Sequence, residues 1–322
     1  MTKPRLLTYY VTTACNARCS FCTIWQQPPV FADKNDVIRN CRDARRLGTR
    51  FVDFTGGEPL LYQPLAEVLQ EANKMGFYTS ITTNTLLYPE KADEIKKKVD
   101  FLLFSIDGTQ EYHDRNRGVQ CFSTLIKSIE YALHIKEKPE LLFTVTNDSI
   151  LFLDEIYSFA RFYNLMLLIN PIFDYFGNQG LDRDHCTRLR AFGRKRGVFV
   201  NNALLQFIET GGNDITHPRC KAMDAVIVIS PENTLIYPCY HHAQGSVPIH
   251  DDLITCHRSS MTEHAAMQGR YPECQGCTIN CYFDPSFEYR LDSLMTQSLR
   301  SRMKYALDRY LILPLQSPKH GG

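Results

Sequence analysis

The sequence predicts an α/β protein whose main domain is a partial barrel of six parallel strands alternating with helices. Between residue 6 and about residue 170, apolar runs of strand length alternate with amphipathic segments of helical length. Short polar segments also follow the strands, and active sites of parallel α/β proteins lie at that edge. Six units fit a partial barrel better than a closed barrel of eight, and an open doubly wound sheet is the alternative.

The predicted strands are rich in β-branched and aromatic residues. They span Leu6–Thr12, Arg50–Phe54, Phe77–Thr83, Phe101–Ile106, Leu141–Thr146 and Leu165–Asn170. The predicted helices cover approximately residues 33–47, 63–75, 90–98, 121–136 and 150–163. We expect this barrel domain to occupy residues 1–210.

The composition is that of an ordinary globular protein. Of 322 residues, 44% are hydrophobic and 22% are charged, which is enough to form a sizeable core. Lys and Arg number 36 against 35 Asp and Glu, so no overall charge favours a nucleic-acid partner. Neither a secretory signal nor an apolar run of membrane-spanning length is evident, and we expect a cytoplasmic protein.

Twelve cysteines are a high number for a chain without an export signal, and they indicate metal binding or catalysis rather than disulfides. Three of them lie near the start of the chain and six lie between Cys220 and Cys281. The remaining Cys41, Cys121 and Cys186 stand alone, and we interpret them as small buried apolar residues.

Cys15, Cys19 and Cys22 follow the first predicted strand directly. Thiolates gathered so closely suit iron, which bonds to soft sulfur ligands. Three thiolates on a cubic cluster would leave one iron open to a further ligand, which points to chemistry rather than electron storage. A structural zinc site or disulfides are the alternatives, although zinc usually takes four ligands in paired units.

The segment Gly56-Gly57-Glu58-Pro59 follows the second strand. Together with the three cysteines, it resembles the radical S-adenosylmethionine (SAM) enzymes. The resemblance implies that Cys15, Cys19 and Cys22 hold a 4Fe–4S cluster whose fourth iron is chelated by SAM. It also implies that Phe21 lies beside the adenine and that the glycine-rich segment binds the methionine amino group. Two glycines allow a close backbone approach, and Glu58 can accept a hydrogen bond from an ammonium.

The resemblance implies a reaction as well. A flavodoxin or ferredoxin-type donor reduces the cluster, SAM is cleaved to methionine and a 5′-deoxyadenosyl radical, and the radical takes a hydrogen atom from the substrate. The cofactors supply this chemistry, while the protein positions the substrate and excludes solvent.

A further match to the family covers the segment Ser105-Ile106-Asp107-Gly108 with the following His113-Asp114 and Arg117-Gly118. In the family, the serine and the arginine are implicated in holding SAM, and a guanidinium can grip both carboxylate oxygens. The alternatives are a turn at Asp107 and a surface ion pair at Arg117. Asn84 and Asn147 are expected either to bind SAM or to cap the helices that follow them.

The second cysteine set resembles Twitch, a shortened relative of the SPASM auxiliary-cluster domain, over residues 211–285. The resemblance implies one auxiliary 4Fe–4S cluster, with Cys281 as an alternate ligand, on Cys220, Cys239, Cys274 and Cys277. A hairpin is expected around residues 231–233, with Thr234 in place of the usual glycine. A zinc ribbon is the alternative. His241 and His242 could tune or ligate the cluster, but adjacent histidines near a hairpin are more often solvent-facing.

Residues 286–315 are predicted to form a C-terminal amphipathic helix, with an apolar stripe between Phe287 and Leu311 and basic residues on its other faces. We expect the stripe to pack on its own domain, and we do not favour contact with a membrane surface. Residues 316–322 are expected to be a disordered tail.

The substrate is the least determined feature of the sequence. The chain has only a short stretch before the first strand, so we expect a small-molecule or lipid-like substrate rather than a peptide. Aromatic residues in the segment 171–176 could line an apolar pocket or belong to the core. The alternatives to this enzyme are a maturase of ribosomally made peptides and a non-catalytic iron–sulfur or zinc-binding protein.

Overall fold

The computed structural model describes residues 3–173, 179–250 and 252–315. Within them, ten strands form one sheet. The strands are β1 (Leu6–Thr12), β2 (Phe51–Gly56), β3 (Tyr78–Thr83), β4 (Phe101–Ile106), β5 (Glu140–Val145), β6 (Leu167–Pro171), β7 (Val198–Phe199), β8 (Val226–Ile229), β9 (Thr234–Tyr237) and β10 (Gly245–Pro248).

Strands β1 to β7 are parallel, and each pairs with the next in chain order. On the other side of β1 lie β8, which is parallel to it, and then the antiparallel β9 and β10. The predicted α/β fold with six parallel strands is therefore confirmed, and it is consistent with a partial barrel. The bounds of the predicted strands differ from the observed ones by at most two residues.

The helices of the described residues follow the strands along the chain, as a parallel sheet requires. They are α1 (Lys34–Leu47), α2 (Leu65–Lys74), α3 (Tyr88–Ile95), α4 (Gln110–Arg117), α5 (Phe122–His134), α6 (Leu153–Phe162), α7 (Arg183–Phe192), α8 (Asn202–Glu209), α9 (Ala222–Ala225), α10 (Leu253–His264), α11 (Asn280–Ser286) and α12 (Ser293–Leu307).

The two faces of the barrel strands differ in chemistry. In β1, Leu7, Tyr9 and Val11 are fully buried in the main apolar core, as are the alternate residues of the neighbouring strands. Because side chains alternate across a strand, Thr8 of β1 and Asp53 of β2 lie on the opposite, inner face. Burial raises the pKa of Asp53 to about 6, although a hydrogen bond with Ser80 lowers it in part. The barrel interior is thus polar in this part.

Helix α4 was not predicted, because its sequence QEYHDRNR carries no apolar stripe. Its start is fixed by Thr109, whose hydroxyl oxygen accepts a hydrogen bond from the backbone N–H of Tyr112. Its end is fixed by Gly118 in the left-handed conformation. Polar helices of this kind depend on caps and on tertiary contacts.

The hairpin predicted for the second cysteine region is present as β8 and β9. It does not stand apart from the barrel, since Leu6 to Tyr9 of β1 pair with the whole of β8. The predicted division at residue 210 therefore falls within one continuous sheet. The domain bounds themselves stay predictions.

The C-terminal helix differs from the prediction in two respects. Helix α12 begins only at Ser293, where the Asp292 carboxylate caps it by accepting from the backbone N–H of Met295. The expected packing of the apolar stripe is wrong for most of its members. Those that are exposed to solvent are Leu291, Leu299, Met303, Leu307 and Leu311.

The buried face of this helix is polar instead, and this explains the difference. Ser298 and Ser301 are buried, and Tyr305 donates a hydrogen bond to Glu140 at the start of β5 over 2.8 Å. Arg309, just beyond α12, pairs with the same carboxylate at 2.7 Å. The helix is therefore held at the amino ends of the barrel strands by hydrogen bonds and charge.

No helix in the described ranges combines the length and the apolar character that crossing a membrane requires. The predicted disordered tail at 316–322 and residues 174–176 of the aromatic segment 171–176 lie outside the described residues.

Candidate active site

The three cysteines Cys15, Cys19 and Cys22 lie on the loop that follows β1, at the carboxyl edge of the sheet. All three are free thiols of intermediate exposure. Burial raises the pKa of each thiol, and the positive charge of Arg117 opposes the shift in all three. Each thiol also lies near enough to another for that neighbour's charge to raise its pKa. The predicted metal-binding cysteines are therefore brought together.

The end of helix α4 holds this loop in place. The backbone N–H groups of Arg18 and Ser20 donate to the carbonyl oxygens of Arg117 and Asn116, each over 2.8 Å. Gly118 has a φ of 62°, and a Cβ there would lie 3.0 Å from the Cβ of Arg18. The segment 105–118 therefore has a structural role, because its C-terminal end supports the cysteine loop.

Arg117 itself is bound to Asp107 rather than free to meet a ligand. Its Nε and Nη2 donate to the two carboxylate oxygens of Asp107 at 2.8 and 2.9 Å, and both side chains are buried. Asn116 donates a third hydrogen bond to the same carboxylate. The ion-pair alternative is thus present, although in the interior rather than at the surface. Contact between Arg117 and SAM stays a prediction.

The two glycines of the predicted SAM-binding segment are required by close backbone packing. A Cβ on Gly56 would lie 1.9 Å from the carbonyl oxygen of Thr12, and one on Gly57 would lie 2.0 Å from that of Ala14. Gly56 also has a φ of 130°, which side-chain-bearing residues rarely adopt. The glycines thus join the end of β2 to the start of the cysteine loop.

Glu58 is buried next to this junction. Its carboxylate accepts hydrogen bonds from the backbone N–H of Leu60 at 3.1 Å and of Asn84 at 2.8 Å. Burial raises the pKa of Glu58, and these hydrogen bonds oppose the shift. The carboxylate therefore ties the end of β2 to the end of β3. Its predicted contact with an ammonium group stays a prediction.

Asn84 connects this network to the cysteines. Its side-chain nitrogen donates to Asn16 over 2.7 Å and lies 4.0 Å from the sulfur of Cys15. Its side-chain oxygen accepts from the backbone N–H of Leu86, which closes a local turn before α3. The helix cap predicted as the alternative is absent, since α3 begins at Tyr88 after Leu87 and has no side-chain cap hydrogen bond. The local turn instead places the Asn84 amide group against the cysteine loop.

Three further predicted SAM contacts lie around the same edge. Ser105 is buried on β4, and Asn147 is half-buried in the loop after β5. Phe21 is half-buried and packs against the main apolar core. Their contacts with SAM stay predictions.

A buried cluster behind Asp107 was not predicted from the sequence. His113 accepts from the backbone N–H of Asp107 at 3.1 Å, and its other ring nitrogen lies 3.2 Å from the Cys121 sulfur. Asp114 accepts from the backbone N–H groups of Cys121 and Phe122. Burial lowers the pKa of His113 to about 4, so the ring is neutral at pH 7. The His-Asp dipeptide in the motif was the available signal.

The second cysteine set lines one cavity. Its walls include Cys220, Cys239, Cys274, Cys277, His242 and Tyr282. Burial raises the pKa of all four thiols. The charges of Cys239, Cys274 and Cys277 raise the pKa of Cys220 further. The four predicted auxiliary ligands are therefore brought together from three chain segments.

Asn213, which has no predicted role, joins these segments. Its side chain donates to the carbonyl oxygens of Gly269 and Cys274 at 2.8 and 3.1 Å. It also accepts from the backbone N–H groups of Arg219 and Cys220. Its backbone N–H donates to the Cys277 carbonyl at 3.1 Å. A single Asn in a loop carries no sequence signal of such a role.

Cys281 differs from the other four cysteines of this region. It is exposed, it is not among the residues that line the cavity, and its thiol donates to Asn280. Its predicted role as an alternate ligand therefore lacks the placement that the other four share. His241 is half-buried rather than solvent-facing, and burial lowers its pKa to about 4.

Comparison with known proteins gives a match to the model of the Radical SAM superfamily over residues 9–151. A probable GTP 3′,8-cyclase of Saccharolobus solfataricus is 28% identical over 144 residues, which is 42% of this chain and 46% of that protein. A GTP 3′,8-cyclase of Clostridium botulinum is 30% identical over 149 residues, which is 42% of this chain and 45% of that protein. The chain thus spans less than half the length of these curated relatives.

Solved structures share the fold over more of the chain. Streptococcus suis SuiB bound to S-adenosylmethionine has a TM-score of 0.67 at 18% identity, covering 83% of this chain and 67% of SuiB. The structure of native anSMEcpe with bound AdoMet and Cp18Cys peptide has a TM-score of 0.64 at 19% identity. It covers 95% of this chain and 98% of that one. At these identities the likeness shows the fold.

Proposed function

From the radical SAM domain that residues 9–151 form, we propose that this chain is an enzyme that cleaves SAM reductively and takes hydrogen from a substrate held inside the barrel. The single observation that carries the proposal is the junction of the three-cysteine loop with the glycine-rich segment. There, Gly57 and Glu58 hydrogen-bond to the loop backbone at Thr12 and Ala14, each over 2.8 Å.

The residues present fit the cofactors of the family, a 4Fe–4S cluster and SAM. Cys15, Cys19 and Cys22 supply three free thiols from one loop, and soft sulfur is the ligand that iron–sulfur clusters use. The desolvated thiols lie in the field of Arg117, which favours their thiolate forms. When bound, the pair supplies a 5′-deoxyadenosyl radical.

The protein's own part is to orient and to exclude water. The bonds between Asp107 and Arg117 fix α4, and α4 fixes the cysteine loop. Glu58 fixes the ends of β2 and β3. Since these groups are buried and hydrogen-bonded, the loop is held before any ligand arrives, which lowers the cost of ordering a site.

We assign one auxiliary 4Fe–4S cluster to Cys220, Cys239, Cys274 and Cys277. All four thiols line one cavity, which supports a common occupant. Soft thiolates bind iron–sulfur clusters, and the radical SAM match over residues 9–151 favours iron over zinc and a Twitch-like role for this region. A zinc site on the same four cysteines is the alternative, which metal analysis of the reconstituted chain distinguishes.

The substrate that the barrel favours is a polar small molecule. The inner strand faces carry Thr8, Asp53 and Ser80 at paired positions. A lipid-like substrate would place apolar groups against these polar side chains and remove them from water. A one-electron donor of the flavodoxin or ferredoxin class is required to reduce the cluster.

Peptide maturation is the second candidate function. It is favoured by fold neighbours solved with a bound peptide, among them SuiB bound to the precursor peptide SuiA. A peptide substrate would be recognised from the mass shift of a precursor incubated with the reconstituted enzyme.

The proposal is tested by anaerobic reconstitution with iron and sulfide, followed by dithionite and SAM. We expect release of 5′-deoxyadenosine and methionine by the wild type and none by a variant with Cys15, Cys19 and Cys22 changed to Ala. Cys186→Ala, which removes a buried cysteine away from the site, is the matched control. Equal release by the triple variant would overturn the assignment.

A further inference from the structure

A second pocket lies on the surface beside the cysteine cavity. Its lining includes four residues with basic side chains, His217, Lys221, Arg270 and Arg290, and none with an acidic side chain. His217 and Arg290 are strongly exposed, and Lys221 is partly so. The pocket therefore presents positive charge to solvent.

This basic pocket and the cysteine cavity share a wall. Cys220 lines both of them. Gln268 lines the basic pocket, and the next residue, Gly269, lines the cavity. A Cβ on Gly269 would lie 2.7 Å from the Cβ of Cys220, so the wall is packed tightly at this point. A group docked in the basic pocket would thus be separated from the cavity by a single layer of residues.

The carboxylates near the pocket leave its charge positive. Asp224 pairs with Lys221 at 3.5 Å but is largely buried and accepts from the Gln268 side chain. Asp292 lies 3.8 Å from Arg290, and its shorter contact is to the buried Arg219. Both of these carboxylates are mostly buried, while a third, the exposed Asp214, lies 3.7 Å from His217. The positive charge of the pocket therefore comes from Lys221, Arg270 and Arg290 rather than from His217.

We propose that this pocket, formed around Lys221, Arg270 and Arg290, is the docking site for an acidic one-electron carrier that reduces the auxiliary cluster through Cys220. The proposal rests on the proposed function, because it needs the auxiliary cluster. Positive charge around a concave site attracts an acidic partner and raises its association rate. In the transfer, the carrier loses one electron and the cluster passes from its 2+ to its 1+ state.

The charge distribution favours a protein carrier. A carrier that meets the surface needs an exposed charged rim and a short path to the cluster, and the pocket offers both. The basic groups come from two separate segments and from the loop before α12, so they surround the pocket rather than lying in a row.

The test measures binding and electron transfer separately. Binding of flavodoxin to the reconstituted chain is measured by isothermal titration at about 0.05 M and about 0.5 M salt, because screening weakens such contacts. The variant Lys221→Glu/Arg270→Glu/Arg290→Glu is expected to lose about tenfold or more in affinity at low salt. Its auxiliary cluster should be reduced correspondingly more slowly by flavodoxin hydroquinone but at the wild-type rate by dithionite.

Two matched variants control this experiment. Lys221→Arg/Arg290→Lys keeps the charge and should keep the affinity. Arg300→Glu reverses one charge rather than three, at an exposed position on α12 away from the pocket, and should bind flavodoxin as the wild type does. The proposal is overturned if the pocket variant binds and is reduced like Arg300→Glu. It is also overturned if the wild type shows no salt-dependent binding.

The outcomes separate this proposal from the proposed function. If the chain holds only the first cluster, the auxiliary assignment fails in the iron count, and the titration still shows whether the pocket binds the carrier. If both clusters are present and the three charge reversals have no effect on binding, only the docking site fails.

Discussion

Arg117 and Asp107 form a buried ion pair with two hydrogen bonds, of 2.8 and 2.9 Å, in the segment that holds the cysteine loop. The loop hydrogen-bonds to the backbone carbonyl of Arg117, so the same residue anchors both the pair and the loop. The residue that the resemblance assigns to SAM thus already has a structural partner.

Arg117→Ala should destabilise the fold strongly, because it leaves the Asp107 carboxylate buried without its main partner. Breaking a buried pair from one side costs about 3–5 kcal/mol. The free energy of unfolding from urea denaturation checks this. Lys74→Ala, which breaks an exposed pair with Glu71, is the control and should change stability by about 1 kcal/mol or less. Similar losses in the two variants would contradict the role given to Arg117.

Gly57→Ala should disrupt the junction of the cysteine loop with β2. The new Cβ would lie 2.0 Å from the Ala14 carbonyl oxygen, so the backbone must shift. We expect the reconstituted variant to bind SAM at least about tenfold more weakly, since a displacement of that size removes well over 1.4 kcal/mol of binding. Equilibrium dialysis with labelled SAM measures this. The control is Gly180→Ala, where a Cβ meets nothing within 4 Å. If Gly57→Ala bound SAM as tightly as the wild type does, the prediction would be contradicted.

Cys277→Ala should remove the auxiliary cluster and leave the first one. The wild type should hold about eight irons per chain, and the variant about four. Iron and sulfide analysis after reconstitution checks this, with Cys186→Ala expected to behave as the wild type. An iron count of about four in the wild type, with zinc at the second cysteine set, would sink the auxiliary-cluster assignment.

Acid should destabilise the fold through His113. Its pKa is lowered from 6.5 to about 4 by burial, so the unfolded chain takes up a proton between these values and the folded chain does not. Its contribution to stability is therefore constant above pH 6.5 and is lost as the pH falls towards 4. At pH 5 the loss is roughly 2 kcal/mol.

The measurement is urea denaturation of the iron-free chain at pH 7 and pH 5. His113→Gln keeps an acceptor for the Asp107 N–H and does not titrate, so its stability should fall less between the two values. His241 and His257, whose pKa values are also lowered to about 4, give a remaining acid sensitivity that both proteins share. Equal pH dependence in the wild type and the variant would contradict the role of His113.

The sequence predicted the strands well because each is a compact apolar run bounded by turns. It missed α4, whose residues are polar and whose stability comes from Thr109 and from the contacts of its end with the cysteine loop. It misplaced the apolar stripe of α12, because periodicity cannot tell which face meets the protein. Here the contacts of Tyr305 and Arg309 with Glu140 determine which face of the helix packs on the barrel.

The candidate site divides in the same way. The cysteine spacing and the two glycines were visible in the sequence because their chemistry and their steric limits are local. The partner of Arg117 and the linking role of Asn213 depend on which segments the fold brings together. A motif names such residues but does not say what each of them touches.

The most direct test of the central claim is the electron paramagnetic resonance spectrum of reduced Cys277→Ala protein, recorded with and without SAM. This variant isolates the cluster at Cys15, Cys19 and Cys22. The account predicts a four-iron signal whose shape changes when SAM is added, since SAM binds the open iron. A signal that SAM leaves unchanged, or no signal at all, would contradict it.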